Sequence, residues 1–207
     1  MVDKKTVRQG YDELAETYAS ERSDDGREAD VLDRFLSGLS TPARILDAGC
    51  GQGTPVLRRV TERATAVGLD VSGGQLELAA ETVPDAALVQ GDLTELPMRE
   101  GTFDAVVAFH SIIHVPLEAH RTVIDEFARV LRPGGRLLLS EGTTEWRGTN
   151  PNWLDTDVEM QWEMAGPEAT RKQLRAGGFT ITDEWNTAGT LAGAEERWSF
   201  FSARLEA

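Results

Sequence analysis

Lysine is almost missing from this 207-residue chain: Lys4, Lys5 and Lys172 are the only three, and the other 18 basic residues are arginine. Cysteine is scarcer still. Cys50 stands alone, which excludes an intramolecular disulfide and any zinc site built from several thiolates. Histidine occurs three times, at His110, His114 and His120. No glutamate-containing zinc-protease pattern surrounds His110 and His114, so no metal is expected. Long apolar runs are missing too. Ala105 to Phe109 and Leu137 to Leu139 are among the longest, far short of the ~18 residues of a membrane helix. The opening Met1-Val2-Asp3-Lys4-Lys5 has no apolar core of a signal peptide. A cytoplasmic protein without a membrane partner is expected.

Acid is in excess. Asp and Glu number 35 against 21 Lys and Arg, a net charge of −14. Such a surface repels phosphate backbones and anionic lipid heads, which argues against nucleic-acid and membrane partners. Many carboxylates with few lysines resemble the proteins of salt-loving microbes, where salt screens self-repulsion. A GC-rich genome is the alternative; it accounts for the arginine but not for the acid. With 40% hydrophobic and 27% charged residues the chain reads as globular, and its length suits one α/β domain over 1–207.

Periodicity alternates between helix and strand. Val7, Tyr11, Leu14 and Tyr18 recur at helical spacing and predict a helix over 4–20. Val31, Leu32, Phe35, Leu36 and Leu39 predict a second, closed by Thr41-Pro42. A strand over 43–47 precedes a helix over 54–63 with Pro55 in its first turn. A strand over 64–70, a helix over 72–82 capped by Ser72 and a strand over 86–90 follow. Phe103 to Phe109 reads as a buried strand and Leu117 to Leu131 as an amphipathic helix. Pro133-Gly134-Gly135 then turns the chain into a strand over 136–140. This alternation implies a parallel sheet covered by helices on both faces. The end departs from it. After a helix over 167–176 come two strands, 179–185 and 197–205, with no helix between, so one must run antiparallel to its neighbour. Between Glu141 and Pro167 lies a polar stretch holding Trp146, Trp153 and Trp162.

The first glycine cluster carries the chemistry. Ile45-Leu46-Asp47-Ala48-Gly49-Cys50-Gly51-Gln52-Gly53 follows a strand and opens a helix. Glycines let the backbone turn sharply and let a ligand approach without a Cβ in the way, while the helix beyond offers free N–H groups. The spacing is G-x-G-x-G, not the G-x-G-x-x-G of a nicotinamide fingerprint. The second strand ends in Asp70, where a carboxylate can accept both hydroxyls of a ribose.

Together these pieces resemble the class I S-adenosylmethionine-dependent methyltransferases. The resemblance rests on ILDAGCGQG (45–53), GLDVS (68–72), GDLTELP (91–97), FDAVVAFHSIIHV (103–115) and LRPGGRLLLSE (131–141). YDELAETYASER (11–22) is similar to the amino-terminal helix of the type-11 branch, which includes quinone-biosynthesis methyltransferases. The resemblance implies a Rossmann-like seven-stranded, mostly parallel sheet with an antiparallel last strand and helices on both faces. It implies that Asp47, Gly49, Gly51 and Gly53 receive the methionine part of the cofactor, S-adenosylmethionine, with S-adenosylhomocysteine as product. Asp70 is then the ribose carboxylate, Val71 lies against the adenine, and Asp92 and Leu93 contact its amino group and ring face. Phe109 stands where the methionine moiety meets the substrate pocket, and Tyr18 and Arg22 belong to a helix folding over the cofactor. Residues 1–40 are thus expected to cover the cofactor and 142–166 to form a substrate cover. Gly73-Gly74 is a mild departure, since two glycines weaken the first turn of a helix.

Methyl transfer needs alignment more than covalent help, and a base only where the acceptor has a proton to lose. His114 is expected to be that base, with His110 a lesser candidate whose side chain points away in the alternative reading. His120 falls in the apolar stripe of its helix and is expected to pack there. The acidic surface favours a small-molecule acceptor and a monomer or homodimer. A nicotinamide oxidoreductase and a non-catalytic cofactor-binding protein are the alternatives.

Overall fold

The computed structural model describes residues 1–21, 27–191 and 194–206. Helices α1 (Lys4–Glu13), α2 (Ala15–Glu21) and α3 (Arg27–Ser37) open the chain. Asp3 starts α1 by accepting the Thr6 N–H at 2.8 Å, satisfying one of its free donors. The single helix expected over 4–20 is two: Leu14 leaves helical geometry, at φ −99° and ψ 5°, and its side chain is buried at the joint.

Strand and helix then alternate through β1 (Arg44–Ala48), α4 (Val56–Thr61), β2 (Thr65–Asp70), α5 (Gly73–Thr82) and β3 (Ala87–Gln90). Ser72 caps α5 as expected, accepting the Gln75 N–H. Next come β4 (Phe103–Ala108), α6 (His120–Val130) and β5 (Leu131–Gly142). The helix expected from Leu117 begins at His120, preceded by a 3-10 turn over Leu117–Ala119. The Pro-Gly-Gly segment lies within β5, where the pairing to β4 shifts register. The polar stretch expected to form a substrate cover, with no strand expected in it, is a hairpin of β6 (Trp146–Trp153) and β7 (Val158–Met164). Helix α7 (Gly166–Ala176) leads to β8 (Phe179–Leu191) and β9 (Ala194–Leu205), both longer than expected because polar residues beyond the core keep pairing.

The main sheet has the order β3-β2-β1-β4-β5-β9-β8. Every pair from β3 to β5 is parallel, whereas β9 runs antiparallel to both its neighbours. This is the expected seven-stranded sheet. From β1 the chain winds outward in one direction through β2 and β3, then returns to β4 and winds the other way. Right-handed crossovers therefore put α4 and α5 on one face and α6 on the other. Val106, Val107, Leu137, Leu138, Leu139, Phe200 and Phe201 are fully buried in the central strands. A smaller apolar cluster, separate from this core, joins Val2, Val7, Leu14 and Tyr18 to Trp153 and Met160 of the hairpin.

Candidate cofactor and acceptor site

The winding reverses between β1 and β4, and an open parallel sheet leaves a crevice at the carboxyl ends of such strands. A cavity occupies that position, lined by the loops after β1, β2, β3 and β4 and roofed by α1 and α2. Gly49 has φ +90°, and a Cβ there would stand 2.3 Å from the Ser111 Cβ. The loops after β1 and β4 meet too closely for any other residue.

Asp70 ties two loops together. Its Oδ2 accepts the Gly51 N–H and its Oδ1 the Ser72 N–H, each at 2.9 Å. Burial pushes this carboxyl above the usual range, against the pull of those donors. Asp47 is 1% exposed. Burial first, and then the Asp70 charge, push it well above the usual carboxylate range.

Nearly all the residues singled out from sequence come together here. Tyr18, Asp47, Gly49, Gly51, Asp70, Val71, Asp92, Leu93 and Phe109 line the cavity with His110 and His114. Gly53 does not. It turns at φ +94° behind the wall, where a Cβ would press on Val83 at 3.0 Å, so its need for glycine is one of packing. Arg22 lies outside the described residues. Asp92 is already engaged: it accepts from Lys4 Nζ at 2.6 Å and from the Thr94 N–H and hydroxyl, each at 2.8 Å. Burial alone would raise the Asp92 carboxyl, but these donors hold it below the usual range.

Several residues that sequence reasoning passed over belong to the same wall. Gln75, on the first turn of α5, has both amide atoms buried without a partner among the described residues. Asp47 Oδ2 and Ser111 Oγ are in the same position. An unsatisfied buried polar atom costs about 1–3 kcal/mol, so their gathering around one cavity marks where a polar ligand completes the set. A ligand with an ammonium group, a carboxylate and a ribose fits these donors and acceptors, with Asp47 and Asp70 as acceptors and the amides after β1 as donors.

A second cavity opens beside the first, under the β6–β7 hairpin, with Trp146, Trp153, Trp162 and Trp198 in its walls. Tyr11, Tyr18, His110 and His114 line both cavities. The two chambers thus share a wall of four aromatic or imidazole rings.

The two histidines are held differently. His114 Nδ1 is 2.9 Å from the Gln161 carbonyl, which only accepts, so the proton sits on Nδ1. Its Nε2 then accepts from the Tyr11 hydroxyl at 2.9 Å. Burial pushes this imidazole down to about 4. His110 follows β4 in the left-handed region, at φ 53°. Its N–H donates to Ser140 Oγ at 2.7 Å, its Nε2 lies 3.0 Å from Glu28 Oε2, and its ring packs edge-on against Trp198 at 4.3 Å. The side chain does not point away from the site, as the alternative reading had it. His120 is fully buried, as expected, with Nε2 donating to the Val115 carbonyl at 3.0 Å.

Comparison with known proteins agrees with this geometry. The family described as Methyltransferase domain matches residues 45–135. An uncharacterized methyltransferase of Synechocystis sp. is 33% identical over 159 residues, 68% of this chain and 74% of that protein. The 27-O-demethylrifamycin SV methyltransferase of Amycolatopsis mediterranei is 41% identical over 143 residues, covering 65% of this chain; the match spans about half, 51%, of that relative. Among solved structures, the 1,6-didemethyltoxoflavin-N1-methyltransferase of Burkholderia thailandensis, with S-adenosylhomocysteine bound, shares the fold at a TM-score of 0.74 and 21% identity. That match covers 98% of this chain and 88% of the other. A glycine turn no side chain can replace, a carboxylate at the end of β2 and an antiparallel last strand in a seven-stranded sheet therefore meet in a chain that belongs to the class I S-adenosylmethionine-dependent methyltransferases.

Proposed function

We propose that this protein transfers a methyl group from S-adenosylmethionine to a small-molecule acceptor. The observation that carries the reading is the shared wall: Tyr11, Tyr18, His110 and His114 face both a polar cavity with unsatisfied groups and an aromatic one. The cofactor, when bound, supplies a methyl group already activated on a sulfonium. Asp47 and the amides after Gly49 hold its amino-acid end, Asp70 its ribose, Val71 the adenine face, and Asp92 and Leu93 the adenine edge. Phe109 and Tyr18 close the sulfur end, with Arg22 on the same segment. Helices within residues 1–40 cover this chamber, and the 142–166 hairpin covers the acceptor. Excluding water between two fitted chambers supplies orientation, which is most of what this chemistry asks of a protein.

A small acceptor suits the indole-lined cleft and the acidic surface, which disfavours nucleic acid. A relative named for 27-O-demethylrifamycin SV and a structural neighbour named for 1,6-didemethyltoxoflavin are in keeping with this. A single domain over 1–207, a monomer or homodimer, a cytoplasmic location and a salt-adapted surface complete the reading. No helix among the described residues is long and apolar enough to cross a membrane. The test is calorimetric titration with S-adenosylhomocysteine and NAD, followed by mass spectrometry of methylated products from a cell extract. Tight S-adenosylhomocysteine binding and a new methylated compound are expected. Tighter binding of NAD, or cofactor binding with no methylated product, overturns the proposal.

A further inference from the structure

We propose that His110, held by Glu28, takes the proton from a flat, hydroxyl-bearing aromatic acceptor seated in the tryptophan cleft. This rests on the methyl-transfer reading above and narrows its acceptor. Trp146 is 46% exposed, one of only two large apolar side chains left open among the described residues. It stands in the cleft wall, 6.2 Å from Trp162, which meets Trp153 edge-on at 5.5 Å. Such a run of indoles gives a planar guest large apolar contact with little ordering cost.

The base follows from which ring nitrogens are committed. Both nitrogens of His114 are spent, one on the Gln161 carbonyl and one on the Tyr11 hydroxyl, and burial leaves it a weak base. Its geometry positions Tyr11 in the wall between the chambers. Nε2 must carry a proton to face the Glu28 carboxylate, so in the neutral imidazole Nδ1 keeps a lone pair. That atom is buried and has no partner among the described residues. A hydroxyl proton completes it. A carboxylate behind an imidazole fixes the tautomer and stabilises the imidazolium that forms. The left-handed backbone at φ 53° holds the ring in the shared wall, a conformation that histidine adopts more readily than most residues.

In the step, the acceptor O–H bond breaks as an N–H bond forms at Nδ1. The electron pair stays on oxygen and makes the bond to the methyl carbon, while the pair of the broken carbon–sulfur bond stays with sulfur. The imidazolium, facing Glu28, returns its proton to water once product leaves.

The test uses 1-naphthol and 1-naphthylamine as matched probes, with labelled S-adenosylmethionine in single turnover. Wild type is expected to methylate the naphthol. His110→Asn, which tolerates the left-handed backbone, should slow that transfer at least about 100-fold, with S-adenosylhomocysteine affinity by calorimetry changed less than threefold. Glu28→Gln should slow it less, and nitrogen NMR of the imidazole should show why: His110 Nδ1 unprotonated in wild type, partly protonated in the variant. Failure of S-adenosylhomocysteine to bind wild type would refute methyl transfer itself. With the cofactor bound, any one of four results overturns the His110 proposal. These are an unreactive naphthol, methylation of the amine in preference, an undiminished rate in His110→Asn with the loss in His114→Gln instead, or a wild-type His110 protonated at Nδ1.

Discussion

Replacing Glu141 by glutamine isolates the charge of one buried carboxyl while keeping its shape. Glu141, the penultimate residue of β5, is 1% exposed; its Oε1 accepts the Gly142 N–H at 2.7 Å, and its Oε2 lies 3.8 Å from His120 Nδ1. The two residues look like an ion pair, but burial favours neutral forms of both. It raises Glu141 from 4.5 to about 7 and lowers His120. A protonated Glu141 can turn its O–H toward the His120 lone pair, so a neutral acid facing a neutral imidazole is the stable arrangement near and below neutrality. Between 4.5 and about 7 the folded carboxyl keeps a proton that the unfolded one has lost. The folded state then binds more protons, and stability falls as pH rises through that window. At 1.36 kcal/mol per pH unit the full loss is about 3 kcal/mol, with no discount for solvent at so buried a site. In a chain of this size that corresponds to about 6–12 °C in Tm. In Glu141→Gln the amide oxygen still accepts from Gly142 and the amide nitrogen can donate to His120. The variant should match wild type near pH 4 and exceed it by about 3 kcal/mol at pH 8, in urea denaturation measured across that range. Parallel curves for the two proteins would show that Glu141 ionises without penalty.

Asp70→Ala should weaken S-adenosylhomocysteine binding at least about tenfold by calorimetry, since charge-assisted hydrogen bonds contribute about 1.5–3 kcal/mol each. It should also lower Tm, because the Gly51 and Ser72 N–H groups lose their acceptor. Gly49→Ala should cost more than Gly51→Ala in both stability and cofactor affinity. A Cβ at Gly49 would overlap Ser111 at 2.3 Å, whereas the nearest atom at Gly51 is 3.5 Å away; equal losses in thermal melts would contradict this. If the acidic surface is a salt adaptation, molar KCl should raise Tm well above its low-salt value, since the Debye length falls to about 3 Å at 1 M. A flat melting profile would return the composition to GC bias.

What was legible in the sequence followed from local causes. The strands Phe103–Ala108 and Leu131–Gly142 contain apolar runs because both sheet faces are covered there, and the glycine loop announces itself because its backbone tolerates no substitute. The β6–β7 hairpin was missed although Val158, Met160, Trp162 and Met164 alternate in period two. Its other strand holds Gly148, Asn150 and Pro151, whose polar and turn-like character hid the pairing. Gln75, Lys4 and Glu28 could not be placed from sequence, because each acquires its site role only by meeting residues from other elements. Lys4 reaches Asp92 across 88 positions and Glu28 reaches His110 across 82. The roles of the two histidines turn on which ring nitrogen faces which atom, and no spacing encodes that.

The small cluster of Val7, Tyr18, Trp153 and Met160 stands apart from the sheet core and is assembled from the two distant stretches that roof the chambers. Val2 and Asp3 fasten the same two stretches by donating to Glu163 and Gln161 of β7. Lifting either stretch therefore breaks its bonds to the other as well as its ties to the sheet side, where Asp12 accepts from Ser72 Oγ and the Gly74 N–H and Glu163 accepts the Leu117 N–H. If the proposed ligands fill the two chambers, a guest bracing Trp153 should therefore slow escape of the nucleoside next door, and the two residence times should rise and fall together.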